Sequence, residues 1–145
     1  MTWTQVTSSA SFSPRVGHGC AVVGTQVVLM DGYWYYGAGY LNDLWVSTDM
    51  GSSWTNKTSG NFTARRDFGI AAFLGKLWVI GGGGAGSKIY GDVWYSNGTT
   101  LSNWTLANGS AFPIPRYDMG ATVFNNRMWV AAGYIGNTCL NDVLR

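Results

Sequence analysis

The chain has 145 residues, a formal net charge of +2, only 11% charged residues, 15% aromatic residues and 21 glycines. That is enough chain for a real core but little charge to solvate an extended surface, so much of the aromatic area must be buried against neighbours. The basic residues are scattered, with Arg65-Arg66 the only adjacent pair, which excludes the basic stripe of a nucleic-acid binder, and no apolar run approaches the roughly 20 residues of a membrane span.

The first residues, Met1 to Thr7, open directly on Trp3-Thr4 and read as a β-strand with no visible signal peptide. The same pair returns as Trp54-Thr55 and Trp104-Thr105. Between these markers lie Phe12, Phe62 and Phe112, then Arg15, Arg65 and Arg116, then Gly19, Gly69 and Gly120. Each glycine begins an apolar run: Cys20 to Val23, Ile70 to Phe73, Ala121 to Phe124. Short turns at Gly24-Thr25-Gln26, Gly75-Lys76 and Asn125-Asn126 lead into a second apolar run, because Gly and Asn tolerate positive φ. That run ends in Asp31-Gly32, Gly81-Gly82 or Ala132-Gly133. After a variable loop, a third strand follows Asp43, Asp92 and Asp142. The next Trp-Thr segment supplies the fourth.

Self-similarity of this kind predicts an all-β protein of three four-stranded propeller blades. The expected bounds are 1–7 for strand four of a preceding blade, 8–58 for repeat one, 59–108 for repeat two and 109–145 for repeat three, which lacks its own fourth strand. Propellers close with about 4–8 blades, so three make half of a six-bladed ring or part of a longer propeller or assembly. The expected partner is a second copy, whose N-terminal strand would complete the open C-terminal blade; further blades of a longer chain are the alternative, and a fibre built from the same edges a third.

The spaced Arg, the small pair after strand two, and Asp-Val-Trp followed by Trp-Thr resemble the kelch repeat in a divergent, galactose-oxidase-like form. The His of that pattern occurs once, as His18, with Phe68 and Met119 at the corresponding places. Ser47, Asp49, Gly51 and Trp54 resemble the Asp-box of sialidase-type propellers, which implies a folding element joining strands three and four; Ser96-Asn97-Gly98 is a degraded copy.

Neither resemblance brings its chemistry with it. Copper chemistry of the galactose-oxidase kind needs at least two imidazoles, and His18 is the only histidine, read here as a core residue. A sialidase needs a Glu, and the chain has none. Asp43, Asp92 and Asp142 read as turn caps before strand three, and Asp67 and Asp118 as structural hydrogen-bonding groups. Gly81 to Gly86 lacks the Lys and following helix of a phosphate loop. No catalytic residue, metal ligand or cofactor is expected, and the chain reads as a non-enzyme.

Two features remain. Asn56, Asn61, Asn97, Asn103 and Asn108 all begin N-glycosylation sequons, more than ten asparagines and 25 Ser/Thr give by chance, with Asn137-Thr-Cys a weak sixth. They predict a secreted, extracellular glycoprotein. Cys20 and Cys139 allow one bridge or none. The loop after strand two holds Tyr33, Trp34, Tyr35, Tyr36 and Tyr40, with Tyr90 and Tyr134 in the matching loops. Such rings suit protein contact or sugar stacking, unless they serve only to order a Gly-rich loop. The expected function is a glycosylated scaffold module for self-assembly or protein interaction. A carbohydrate-binding, lectin-like module is the alternative.

Overall fold

The computed structural model describes residues 2–57, 61–96 and 100–145. Each apolar run becomes a strand, and each two-residue turn a tight antiparallel hairpin. In the first sheet, β1 (Gly19–Val23) pairs with β2 (Gln26–Met30). Between β2 and the next strand of that sheet the aromatic loop forms its own ladder, β3 (Tyr33–Trp34) against β4 (Gly39–Tyr40), which sequence alone left as a loop. The sheet then continues with β5 (Leu44–Ser47) and β6 (Thr55–Lys57), in the order β1-β2-β5-β6.

The second sheet repeats the meander with longer inner strands: β7 (Gly69–Phe73), β8 (Lys76–Gly84), β9 (Lys88–Ser96) and β10 (Trp104–Asn108). A 3₁₀ turn, Ala85–Ser87, joins β8 to β9, and their register shifts between Ile80 and Gly82. The third sheet is β11 (Gly120–Phe124), β12 (Arg127–Ala131) and β13 (Val143–Leu144). The fold is therefore all-β, built of kelch-like propeller blades. Residues 2–7 take no strand ladder, and Trp3 is 95% exposed.

The core lies between sheets, not within one. Val28, Met30 and Leu44 of the first sheet meet Phe68, Leu77 and Val79 of the second in one apolar cluster. Ile80 and Val93 on the far face of the second sheet meet Phe112, Met119 and Val130. Neighbouring residues of β8 thus bury against opposite sheets, which is why its sequence is apolar without alternation. The repeat glycines permit the approach: a Cβ on Gly19 would stand 2.6 Å from the Phe68 ring, and one on Gly69 2.8 Å from the Ala121 Cβ. Backbone bonds stitch the same seams, from Gly32 N to Arg65 O and from Gly82 N to Arg116 O, each 2.9 Å.

The aspartates before the third strands are not turn caps. Asp43, Asp92 and Asp142 each take both terminal nitrogens of the repeat arginine of their own blade, Arg15, Arg65 and Arg116. Each arginine also donates to the carbonyl that ends strand two: Asp31 O at 2.9 Å, Gly81 O at 2.7 Å and Ala132 O at 3.0 Å. One buried guanidinium so ties the segment before strand one to the end of strand two and the start of strand three. Trp45 and Trp94 add an indole N–H to Asp43 and Asp92, both at 2.7 Å.

His18 is also a correction: it is exposed, not a core residue. Phe68 and Met119, at the same repeat position, are buried because they pack against Gly19 and Gly81 of the preceding blades.

Candidate functional site

The aromatic loop splits into two groups of rings. Tyr33 stands edge-on to Tyr35 and to Tyr40, with centroids 4.9 and 5.0 Å apart, so part of the cluster orders itself. Trp34 covers Gly37 so closely that a Cβ there would stand 2.1 Å from its ring. Tyr35 and Tyr36 remain open to solvent, at 64% and 95% exposure. They border a shallow cleft with Pro14, Arg15, Tyr33 and Trp34. Tyr134 meets Tyr117 edge-on and donates its hydroxyl to Gly136 O at 2.9 Å. Tyr90 stands apart from all of these. It is buried, with the Arg65 guanidinium 4.3 Å from its ring, and belongs to the blade interior, not to an open face.

A polar cavity of about 260 Å³ draws on all three blades. Tyr40 enters from β4, Arg66 and Tyr117 from the segments before β7 and β11, Ser87 from the turn between β8 and β9, and Lys88 from the start of β9. Arg66 is held in place by three neighbours: Asp67 at 3.3 Å, the Tyr35 hydroxyl at 3.4 Å, and the Tyr33 ring 5.4 Å from its Cζ. Partial burial opposes its charge, but the Tyr35 hydroxyl and the Asp67 carboxylate together hold its pKa above the ordinary value. Burial and the neighbouring Tyr134 hold the Tyr117 phenol protonated beyond its ordinary range. Burial and Asp118 push Asp67 up, against the pull of Arg66. Among the described residues no ion pair involves Lys88, and no three His, Cys, Asp or Glu side chains lie together as metal ligands would.

Arg66 and Tyr117 were not singled out from sequence as binding residues, yet a signal exists. Val16, Arg66 and Tyr117 occupy one repeat position, facing Tyr33, Gly83 and Tyr134 through equivalent backbone bridges. The repeats agree wherever they build blades and diverge here, on the open face.

The second site is an apolar groove of about 400 Å³ between blades two and three, lined by Ile80, Val93, Phe112, Met128 and Leu144 among others. In the first two blades this place is filled. Trp54 packs edge-on against Phe12 at 5.2 Å, and Trp104 against Phe62 at 5.0 Å. Phe112 is the third member of that phenylalanine series.

The turn of Ser47, Asp49, Gly51 and Trp54 closes on itself. The Asp49 carboxylate accepts from Ser47 Oγ, Ser53 N and Ser53 Oγ at 2.8, 2.9 and 2.6 Å, and Trp54 Nε1 donates to Gly51 O at 3.1 Å. Of the sequon asparagines, Asn56, Asn61, Asn103 and Asn108 are exposed; Asn97 lies outside the described residues, as does the Gly98 of the degraded second turn. Cys20 and Cys139 are both free thiols on the surface.

The fold and these repeat-borne pins define a class: all-β proteins built of kelch-like propeller blades. Residues 115–145 match the Kelch motif. The chain is 28% identical over 134 residues to a Kelch domain-containing protein of Saccharolobus solfataricus, covering 90% of this chain and 17% of that protein. It is 29% identical over 156 residues to the leucine-zipper-like transcriptional regulator 1 homolog of Drosophila melanogaster, covering 97% of this chain and 15% of that one. A probable serine/threonine-protein kinase of Dictyostelium discoideum is 27% identical over 135 residues, covering 90% of this chain and 10% of the kinase. The motif and these relatives support the kelch-repeat family. The chain spans only 10% to 17% of the length of the relatives it matches.

Proposed function

We propose that this chain is a non-catalytic propeller module that works through protein contact, associating with a second copy through its open third blade. One observation carries this reading: the groove beside Phe112 is empty while Trp3, the register mate of Trp54 and Trp104, is 95% exposed. Seating Trp3-Thr4 of a second copy there would place an indole against Phe112 as Trp104 sits against Phe62. It would also pair residues 2–7 with the edge of β13. Burying one Trp side chain in such a groove is worth about 1.5–3 kcal/mol, before the added ladder hydrogen bonds.

The outer faces favour the same association. Phe124 and Val143 on the third blade are exposed apolar side chains, whereas Val23 and Leu44 at the corresponding places of the first blade are buried. The exposed sequons at Asn56, Asn61, Asn103 and Asn108 support a secreted, glycosylated form. The Ser47–Trp54 turn, read as an Asp-box, serves folding in this account and takes no part in binding.

Light scattering behind a sizing column tests the proposal on the purified chain and on Trp3→Ala. Because Trp3 touches little of its own chain, the variant should still melt cooperatively, losing only the concentration-dependent stability that association adds. A discrete dimer that becomes monomeric in Trp3→Ala supports the reading. A wild-type monomer with a cooperative melt overturns it.

A second reading, carbohydrate binding, is favoured by the exposed rings of Tyr35 and Tyr36, the first of which accepts a hydrogen bond from Arg66 at the edge of a polar cavity. Tyr36→Ala should abolish glycan binding while leaving the native mass unchanged.

A further inference from the structure

We infer that the cavity among Tyr40, Arg66, Lys88 and Tyr117 is a subsite for one acidic sugar residue, a hexuronate, whose carboxylate is held between Arg66 and Lys88. This rests on the carbohydrate reading and specifies its ligand.

Size is the first argument. At about 260 Å³ the cavity is below the roughly 300–1,000 Å³ of sites for drug-sized ligands, and suits a single ring. Charge is the second. Two cations line it, and the lining includes no carboxylate; Asp67, just behind Arg66, offsets only one of them. The surplus matches a monoanion. A guanidinium fixed by Asp67, the Tyr35 hydroxyl and the Tyr33 ring has already lost its side-chain freedom, so little more is lost when it binds a carboxylate.

Hydroxyl content separates a sugar acid from a plain carboxylate. The lining carries three hydroxyls, on Tyr40, Ser87 and Tyr117, besides the two cations. An acidic protein side chain has two oxygens and would leave most of these groups without a partner. A uronate ring presents its own hydroxyls to them. Gly83 and Gly84 add backbone to the wall, the space beside Gly84 being filled by the protein's own Tyr90 ring, and Ile89 adds the apolar surface that suits the C–H face of a sugar ring. The Tyr35 hydroxyl, bonded to Arg66, marks where the exposed ledge of Tyr35 and Tyr36 begins, and a neighbouring sugar of the same chain would stack there.

The test is calorimetric titration of the full chain with trigalacturonate, with its neutral methyl ester, and with an oligo-aspartate peptide. Trigalacturonate should bind at least about tenfold more tightly than the ester, the scale of a charge-assisted hydrogen bond. Lys88→Ala and Tyr117→Phe should each weaken trigalacturonate binding several-fold, leaving the native mass and melting temperature unchanged. Equal affinity for acid and ester overturns the inference while sparing the carbohydrate reading. Binding of none of the sugars overturns both. Tighter binding of the aspartate peptide also overturns it, in favour of a protein's acidic side chains.

Discussion

Both terminal nitrogens of Arg65 rest on the Asp92 carboxylate, at 2.7 and 3.1 Å, and the Trp94 indole donates to the same carboxylate at 2.7 Å. The guanidinium is fully buried, so its charge depends on that partner. Asp92→Asn should destabilise the chain by about 3–5 kcal/mol, the range for a buried charge left without its counterion. Urea denaturation measures it. Asp142→Asn should shift the midpoint less, because the Asp142 side chain is 42% exposed against 18% for Asp92, and no indole reaches it. Equal losses would mean that the three pins are equivalent despite their surroundings.

Asp31 is fully buried, and neither of its carboxyl oxygens has a hydrogen-bond partner. Burial pushes its pKa well above the ordinary value, against the attraction of Arg65 and Arg15 and with the repulsion of Asp43. A raised carboxyl pKa means that the folded state holds a proton the unfolded chain releases, so stability falls as pH rises above the unfolded value near 3.9. Gly81 and Ala132 occupy this place in the other repeats, at φ 58° and 57° against 55° for Asp31. Asp31→Gly should therefore gain about 1–3 kcal/mol at neutral pH by removing an unsatisfied buried group. Thermal melts between pH 4 and 8 should show a flatter pH dependence in the variant.

Leu74 adopts φ 51° in the hairpin turn between β7 and β8, where Asn125 adopts 49° in the matching turn of the third blade. A branched apolar side chain in the left-handed region carries a strain of about 1–2 kcal/mol that Asn and Gly avoid. Leu74 is exposed, so its side chain contributes little in return. Leu74→Asn should raise the melting temperature; no change would show that the turn strain is relieved elsewhere.

The Asp49 carboxyl is pulled down to about 2 by hydrogen bonds from the Ser53 side chain and backbone and from Ser47. Carbon-13 NMR titration should find it ionised until the pH falls toward that value. In Ser53→Ala the midpoint should move up toward the ordinary carboxyl range. A depressed pKa means the associated stability is present above the unfolded value and is lost as the pH falls through the folded one.

Much of the architecture was legible because a repeat states each constraint three times. The Gly that starts strand one, the turn pairs and the Trp-Thr markers each have one local reading, and all of them agree. The arginine pins were not legible in the same way. A carboxylate just before a strand looks like a turn cap from its neighbours alone; only folding brings Asp92 to an arginine 27 residues away. His18 misled for the same reason. Its burial depends on a neighbouring blade, whereas Phe68 and Met119 have one to pack against.

The candidate binding residues divide similarly. Tyr33, Trp34, Tyr35, Tyr36 and Tyr40 stand out by composition, but nothing local distinguishes Tyr90, which is buried, from Tyr36, which is open. Arg66 and Tyr117 became candidate binding residues only when three blades met around one cavity.

By itself the sequence determined the repeat, the strand order within a blade and the poverty of catalytic groups, because these follow from local chain preferences and residue chemistry. Tertiary structure alone decided which carboxylate meets which guanidinium, which ring is covered, and where the open cavity and empty groove lie. Those are contacts between blades and between distant strands. Their energies depend on what excludes water at each position, and residues far apart along the chain set that.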